Sequence, residues 1–337
     1  LDRYREEVAA VRAAGIVPLV TLHHFSHPSW FAGLGGWTAP HAVDRFLHLV
    51  DVVVDALGDL VTDWVTINEP NVYAVQAHLF GEGPPATRDW GAVRSTLRNM
   101  AIAHCRAYHR IHEMQPEAKV GFAHHARVFA PLDPRNPFHR GVAALDRALF
   151  QDLLADALLG GRFTRLLGRQ PADVTPGRHY DYLGINYYAR SAVKGLADGT
   201  FPGAPVNDLG WEVHPQGLVE VARELHARYP APIWVTENGT ADAADAFRSR
   251  YVFEHLQAMA ASDLPFERYY HWCFVDNWEW REGEGPRFGI VALDYETQQR
   301  TVRDSGRFLA AVIRDGGVTR TTYEEFVAGQ SYPSGPR

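Results

Sequence analysis

The chain has 337 residues, 46% hydrophobic and 22% charged, which is ordinary globular composition with enough apolar material for a large core. Its net charge of −7, with no long basic run, argues against a nucleic-acid partner or an anionic membrane surface. Two widely separated cysteines, Cys105 and Cys273, exclude a disulfide scaffold, and no apolar stretch approaches the ~18 residues of a membrane helix.

In chain order, LDRYREEVAAVRAAG at 1–15 predicts an amphipathic helix rather than a signal peptide. Because it opens on Leu1 and not Met, a preceding segment is expected. Apolar runs of strand length follow: VPLVTLHHF at 17–25, WVTINEP at 64–70, KVGFAHHARVF at 119–129, YDYLGINYY at 180–188, PIWVTENG at 232–239 and YYHWCFVDNW at 269–278. Between them, segments such as AVDRFLHLVDVVVDALG at 42–58 and GLVEVARELHARY at 217–229 have helical period. Strands alternating with helices predict parallel pairing through βαβ crossovers.

Polar residues gather at the C-terminal ends of these strands: His23 and His24, Asn68 and Glu69, Asn186 to Tyr188, Glu237 and Asn238, and Asp276 to Trp280. Several strand ends pooling residues into one site is the pattern of a (β/α)8 barrel, whereas an open sheet binds at one switch point. No G-x-G-x-x-G turn follows the first strand, so a dinucleotide fold has no support. Six of eight strands are readable, and the missing two are expected upstream. The expectation is therefore an α/β (β/α)8 barrel with strands 3 to 8 present, as one catalytic domain over 1–337, truncated at its N-terminus. The Gly- and Pro-rich segment 189–216 is expected to be a long loop over the site.

Glu69 ends one strand and is followed by Pro70, which stops the strand. Glu237 ends another, before Asn238 and Gly239, where glycine is expected to permit a sharp turn. Two glutamates on parallel strand ends fit glycoside hydrolysis, in which one carboxyl donates a proton to the leaving oxygen and the other attacks the anomeric carbon. Nine tryptophans and fourteen tyrosines, several at strand ends, supply rings on which sugar CH faces stack. Adjacent strand residues point to opposite faces, so neither His23-His24 nor His124-His125 can ligate one ion as a pair. No metal and no cofactor are expected. Asn238-Gly239-Thr240 matches a glycosylation sequon but would lie inside the site, so it is read as coincidence.

T-I-N-E-P at 66–70, T-E-N-G at 236–239 and D-N-W-E-W-R-E-G…R-F-G at 276–289, in this order, resemble glycoside hydrolase family 1, the β-glucosidase family. T-L-H-H-F-S-H-P-S-W-F at 21–31 and N-Y-Y at 186–188 resemble that family's third- and sixth-strand motifs, and the likeness runs to about residue 304. The resemblance implies Glu69 as acid/base, Glu237 as nucleophile, Asn68 as the residue bonding the sugar 2-hydroxyl, and Tyr188 as the phenol that holds the nucleophile. It further implies that His24, Glu279 and Trp280 bind outer sugar hydroxyls, that Trp272 lies under the sugar face, that Phe288 lines the pocket, and that Asn186 belongs to the sugar site. Glu279 would repel a phosphate, so unphosphorylated β-glucosides, galactosides or fucosides are the implied substrates.

The family's first-strand glutamine and second-strand arginine have no counterpart here, in agreement with the strand count. The implied activity is retaining exo-glycosidase chemistry by double displacement, with carboxyl groups about 5–5.5 Å apart. The alternatives are a silent carbohydrate-binding fragment and a transglycosidase. The expected partner is a small glycoside, with neither nucleic acid nor membrane, and the expected location is cytoplasmic. The oligomeric state has no signature in the sequence.

Overall fold

Strand and helix periods in the sequence are realised in the computed structural model, which describes residues 1–335; Pro336 and Arg337, the end of the expected domain, lie outside the described residues. The chain runs α1 (Asp2–Ala13), β1 (Leu19–His23), α2 (Ser29–Gly33), α3 (Ala42–Leu57), β2 (Asp63–Asn68), α4 (Pro70–Val75), α5 (Trp90–Met114), β3 (Lys119–His125), β4 (Val128–Pro131), α6 (Pro137–Arg147), α7 (Leu153–Gly160), β5 (Leu183–Asn186), β6 (Arg190–Lys194), β7 (Ala197–Gly199), α8 (Gln216–Arg228), β8 (Ile233–Asn238), α9 (Arg248–Ala260) and β9 (Phe266–His271). It closes with β10 (Val291–Leu293), β11 (Arg300–Val302), α10 (Asp304–Asp315) and α11 (Arg320–Phe326).

The main sheet has six strands in the order β1-β2-β3-β5-β8-β9, and β1–β2, β2–β3 and β8–β9 pair in parallel. Strands that follow chain order, with helices between them, are six repeats of a (β/α)8 barrel. By contact density the chain separates into two compact units. One holds Leu1–His125, Ala148–Ile185 and Tyr229–Pro232; the other holds Ala126–Arg147, Asn186–Arg228 and the chain from Ile233 onward.

In the first unit the apolar stripe of α3 falls at Val43, Phe46, Val50, Val54 and Leu57, a three-and-four spacing that puts all five on one helix face. They join Trp64 and Ile67 of β2, Val120 of β3 and Met100, Ala103, Ala107 and Ile111 of α5 in one core. Each large side chain buried there contributes roughly 1.5–3 kcal/mol. Every residue of β2 is buried, which is why this strand reads as a near-continuous apolar run. Gly121 on β3 makes room for a neighbour: a Cβ there would stand 2.7 Å from the Tyr182 ring. That ring crosses the strand so that its hydroxyl donates to the Trp64 carbonyl at 2.8 Å.

α1 departs from the amphipathic expectation, because none of its residues is buried. Only partial cover reaches Val8, while Arg3 pairs with Glu6 and Glu7 on the exposed side and Arg5 grips Asp59 at 2.5 and 2.7 Å. Six charges in twelve residues leave it too few apolar positions for a core stripe.

In the second unit, the turn from β8 into α9 is fixed by Asp242, whose carboxylate accepts backbone N–H bonds from Ala246, Phe247 and Arg248 at 2.8–3.0 Å. The Arg248 guanidinium, fully buried, pairs with Asp245 and donates to the Arg287 carbonyl at 2.8 Å. Asp276 is held by Arg303 at 2.9 and 3.0 Å and accepts the Gly289 N–H at 2.9 Å. These bonds brace the segments that follow β8 and β9.

Segment 189–216 differs from the expected loop, since β6 and β7 lie within it. With β4 they form a separate three-stranded sheet, β6 running parallel to β4 and antiparallel to β7. Arg190, the first residue of β6, pairs with buried Glu212 beyond β7, which also accepts the Phe201 N–H at 3.2 Å. The strands are short and their ladder partner β4 is distant in sequence, so local pattern gave no sign of them. No helix among the described residues is long and apolar enough to cross a membrane.

Candidate active site

The first unit holds Glu69, Asn68, His23 and His24. Glu69 sits one residue past β2, and its N–H still continues the ladder to the Ala123 carbonyl at 2.8 Å. Its backbone then turns into the left-handed region, φ 43° and ψ 57°, and Pro70 starts α4 at once. Such a conformation is sparsely populated by non-glycine residues, costs about 1–3 kcal/mol, and concentrates at functional sites. Glu69 is 6% exposed, and its Oε1 lies 2.8 Å from His125 Nδ1. Asn68, also buried, stands 3.2 Å from the His24 ring. Burial pushes the His24 imidazole below its ordinary pKa, against a smaller upward pull from Glu69, so the ring is neutral near pH 7. His23, on the other strand face, accepts the Trp37 indole N–H at 3.0 Å and is buried among aromatics.

The second unit holds Glu237 and the aromatic residues Tyr188, Trp272, Trp280 and Phe288. Glu237, at the end of β8, is 9% exposed, and its Oε2 accepts the Tyr188 hydroxyl at 2.6 Å. Thr236 donates to Asn186 Oδ1 at 2.6 Å, and Asn238 donates to the Tyr187 carbonyl at 2.7 Å and to the Tyr251 hydroxyl at 3.0 Å. Asn238 and Thr240 are fully buried, which agrees with the sequon being coincidental. Phe288 is buried and packs on Tyr188 and Trp211, at ring distances of 6.3 and 6.1 Å. Trp272 donates its indole N–H to both Glu279 oxygens, at 3.3 and 3.4 Å, and Trp280 beside it is 37% exposed.

Glycosyl hydrolase family 1, as a sequence profile, matches residues 1–318. The chain belongs to glycosyl hydrolase family 1. This family-1 chain is 33% identical over 339 residues to the chloroplastic galactolipid galactosyltransferase of Arabidopsis thaliana, covering 95% of this chain but only 51% of that protein. It is 29% identical over 347 residues to β-glucosidase A of Thermotoga maritima, covering 94% of the chain and 78% of the relative. It is also similar to the solved β-glucosidase of T. maritima in complex with glucoimidazole, with TM-score 0.86, 27% identity, and 94% and 78% of the two chains covered. A β-glycosidase from Pyrococcus horikoshii matches with the same TM-score, 29% identity, and 96% and 77% covered.

Two residues beside the predicted glutamate and tyrosine are not singled out by the sequence, His125 and Trp211. His125 stands at a strand end, the same signal that singles out Glu69, but its neighbour His124 points to a metal pair that the pleat excludes. Trp211 stands on Tyr188 at a ring distance of 5.9 Å but lies in a segment with no readable motif. Gly239 corrects another expectation. It is not in a positive-φ turn; a Cβ there would stand 1.8 Å from the Trp272 carbonyl oxygen. Among the described residues, no three His, Cys, Asp or Glu side chains are grouped to hold a metal ion.

Burial raises the Glu279 carboxyl to about 7, against the opposing Trp272 N–H bond and with a smaller push from Asp276. Because its folded pKa lies above its unfolded value of 4.5, the folded state binds the proton more tightly, and stability from this group falls as pH rises from about 4.5 to 7. Glu279→Gln is therefore expected to flatten the thermal midpoint across that window and to exceed the parent protein's midpoint at pH 8. Melting curves of the two proteins at stepped pH check this, and parallel curves would count against it.

Proposed function

We propose that this chain is a retaining exo-β-glycosidase acting on unphosphorylated β-glucosides, galactosides or fucosides. Glu69 protonates the leaving oxygen while Glu237 attacks the anomeric carbon and forms a glycosyl–enzyme. Water, giving its proton to Glu69, then releases the sugar with retained configuration. The observation that carries the reading is the 2.6 Å bond from Tyr188 to buried Glu237. A phenol in this place fixes the rotamer of a carboxylate that must meet carbon along one line, and it stabilises the ionised form. His24, Asn68, Asn186, Trp272, Glu279, Trp280 and Phe288 bind the sugar on this reading, through hydroxyl bonds and ring stacking.

An activated 2-deoxy-2-fluoro β-glucoside tests the proposal. The fluorine slows breakdown of the intermediate, so mass spectrometry is expected to find one sugar on the peptide bearing Glu237. Label on any other carboxylate rejects the assignment. Tyr188→Phe removes a hydrogen bond to a charged group, worth about 1.5–3 kcal/mol, so kcat is expected to fall about 10- to 100-fold on a nitrophenyl β-glucoside.

A second reading, transglycosylation, is favoured by the 33% identity to a galactolipid galactosyltransferase. It shares the covalent intermediate and replaces water with a sugar hydroxyl. Product analysis with an added alcohol or galactoside acceptor separates the two, because a transferase yields a new glycoside in preference to free sugar.

A further inference from the structure

We propose that His125 is a positioning residue for Glu69: its Nδ1–H holds Oε1, which leaves Oε2 as the one oxygen that carries the catalytic proton. The inference rests on Glu69 being the acid/base.

The geometry is built by the backbone. Asn68 on β2 registers with Ala123 on β3, and the Glu69 N–H reaches the Ala123 carbonyl at 2.8 Å. His125 lies two residues beyond Ala123, on the same face of the pleat as residue 123. Its Nδ1 reaches Glu69 Oε1 at 2.8 Å, and the two residues are 9% and 6% exposed. The support for His125 comes from α4. Asn71 Nδ2 donates to the His125 carbonyl at 2.9 Å and to the Phe150 carbonyl at 3.1 Å. The Phe150 ring meets the imidazole edge-on, with centroids 5.8 Å apart at 86°. Glu69 is thus held at its backbone by a left-handed φ and at its side chain by a braced imidazole.

The chemistry needs such a brace. In the first half-reaction the Oε2–H bond breaks as the glycosidic C–O bond breaks and the anomeric carbon bonds to Glu237; the leaving oxygen keeps the bonding pair and takes the proton. Negative charge then spreads over both Glu69 oxygens, and the Nδ1–H already on Oε1 meets it without reorganisation. In the second half-reaction the attacking water gives its proton to Oε2 as its oxygen bonds to the anomeric carbon, and the carbon–Glu237 ester bond breaks with its electron pair returning to the Glu237 carboxylate. Across the cycle Glu69 loses and regains one proton and His125 neither gains nor loses one. A carboxyl free to rotate would present either oxygen, and half of its orientations would be unproductive.

Leaving-group dependence is the readout that a merely structural residue would not move. A methyl or alkyl glycoside needs proton donation, whereas a dinitrophenyl glycoside departs without it. In His125→Leu the ratio of kcat/KM for the dinitrophenyl over the methyl glycoside is expected to rise about 10- to 100-fold. His125→Asn, which keeps an N–H directed at Oε1, is expected to restore most of the parent ratio. An unchanged ratio in His125→Leu overturns the proposal.

Glu69→Gln serves as the reference. If it raises the ratio and His125→Leu does not, the His125 proposal alone fails. If Glu69→Gln leaves the ratio unchanged, the acid/base reading of Glu69 fails and this proposal with it. A second measurement needs no turnover. In ¹⁵N-histidine-labelled protein, the long-range ¹H–¹⁵N pattern missing from His125→Asn is expected to be that of the Nδ1-protonated tautomer. An Nε2-protonated ring would mean that Glu69 donates to His125, and would overturn the assignment.

Discussion

Glu237→Ala is expected to lower kcat on a nitrophenyl β-glucoside at least ~10,000-fold, the scale of losing a residue that forms the covalent bond. On the proposed pathway no other group can make the glycosyl–enzyme, so the loss falls on kcat rather than on substrate binding. Removing a buried carboxylate also leaves a space that a small anion can fill. Azide or formate is therefore expected to restore part of the rate with the dinitrophenyl substrate. With azide the product is expected to be the α-glycosyl azide, because one displacement inverts where two retain. Assay of parent and variant with and without azide, with NMR of the product anomer, checks both points. Turnover within tenfold of the parent, or a rescued product of β configuration, would reject Glu237 as nucleophile.

Gly239→Ala is expected to destabilise the fold by at least ~3 kcal/mol, the upper end of overpacking costs. The added Cβ would lie 1.8 Å from the Trp272 oxygen, 2.8 Å from its carbonyl carbon and 3.3 Å from its Cα. All three are backbone atoms, so no change of rotamer relieves the clash. The Trp272 N–H is itself bonded to the Asn238 carbonyl at 2.9 Å, which fixes the two segments against each other. A fall in thermal midpoint of roughly 4 °C or more is expected. Gly141→Ala, within α6, is the control: a Cβ there meets nothing within 4 Å, and the change is expected to stabilise by about 0.5–1 kcal/mol. Equal midpoints for the two variants would remove the close-approach explanation for Gly239.

The two variants also separate what was legible in the chain from what was not. Glu237 stood out because a carboxylate after I-W-V-T breaks an apolar run at the point where a barrel strand ends. Glu69 stood out in the same way after W-V-T-I-N. Gly239 was visible as a glycine after that carboxylate, but the reason for it was read as a turn. A turn is a local property and a close approach is not: the atoms that exclude a Cβ belong to Trp272, one residue past the end of the next strand, β9.

The same division applies to the partners of the glutamates. Tyr188 is 49 residues from Glu237 and His125 is 56 from Glu69. Tyr188 was found because N-Y-Y resembles a family motif. His125 was not, because its neighbour His124 suggested a metal ligand and the pleat ruled that out. The small sheet of β4, β6 and β7 was hidden for a related reason. Strands of three to five residues carry too few alternations to show a period, and the pairing of β4 with β6 joins segments about sixty residues apart.

By itself, then, the sequence determined the succession of strands and helices, the parallel pairing that succession demands, and the strand ends at which polar chemistry collects. These follow from periodicities of 2 and 3.6 residues and from the solvation of carboxylates, all of which act within a few residues of chain. Only the tertiary structure decided which oxygen of Glu69 meets an imidazole, that burial lifts Glu279 to about 7, and that residue 239 must lack a side chain. Each of those depends on strand register and on the exclusion of water, which are set by contacts among segments tens of residues apart.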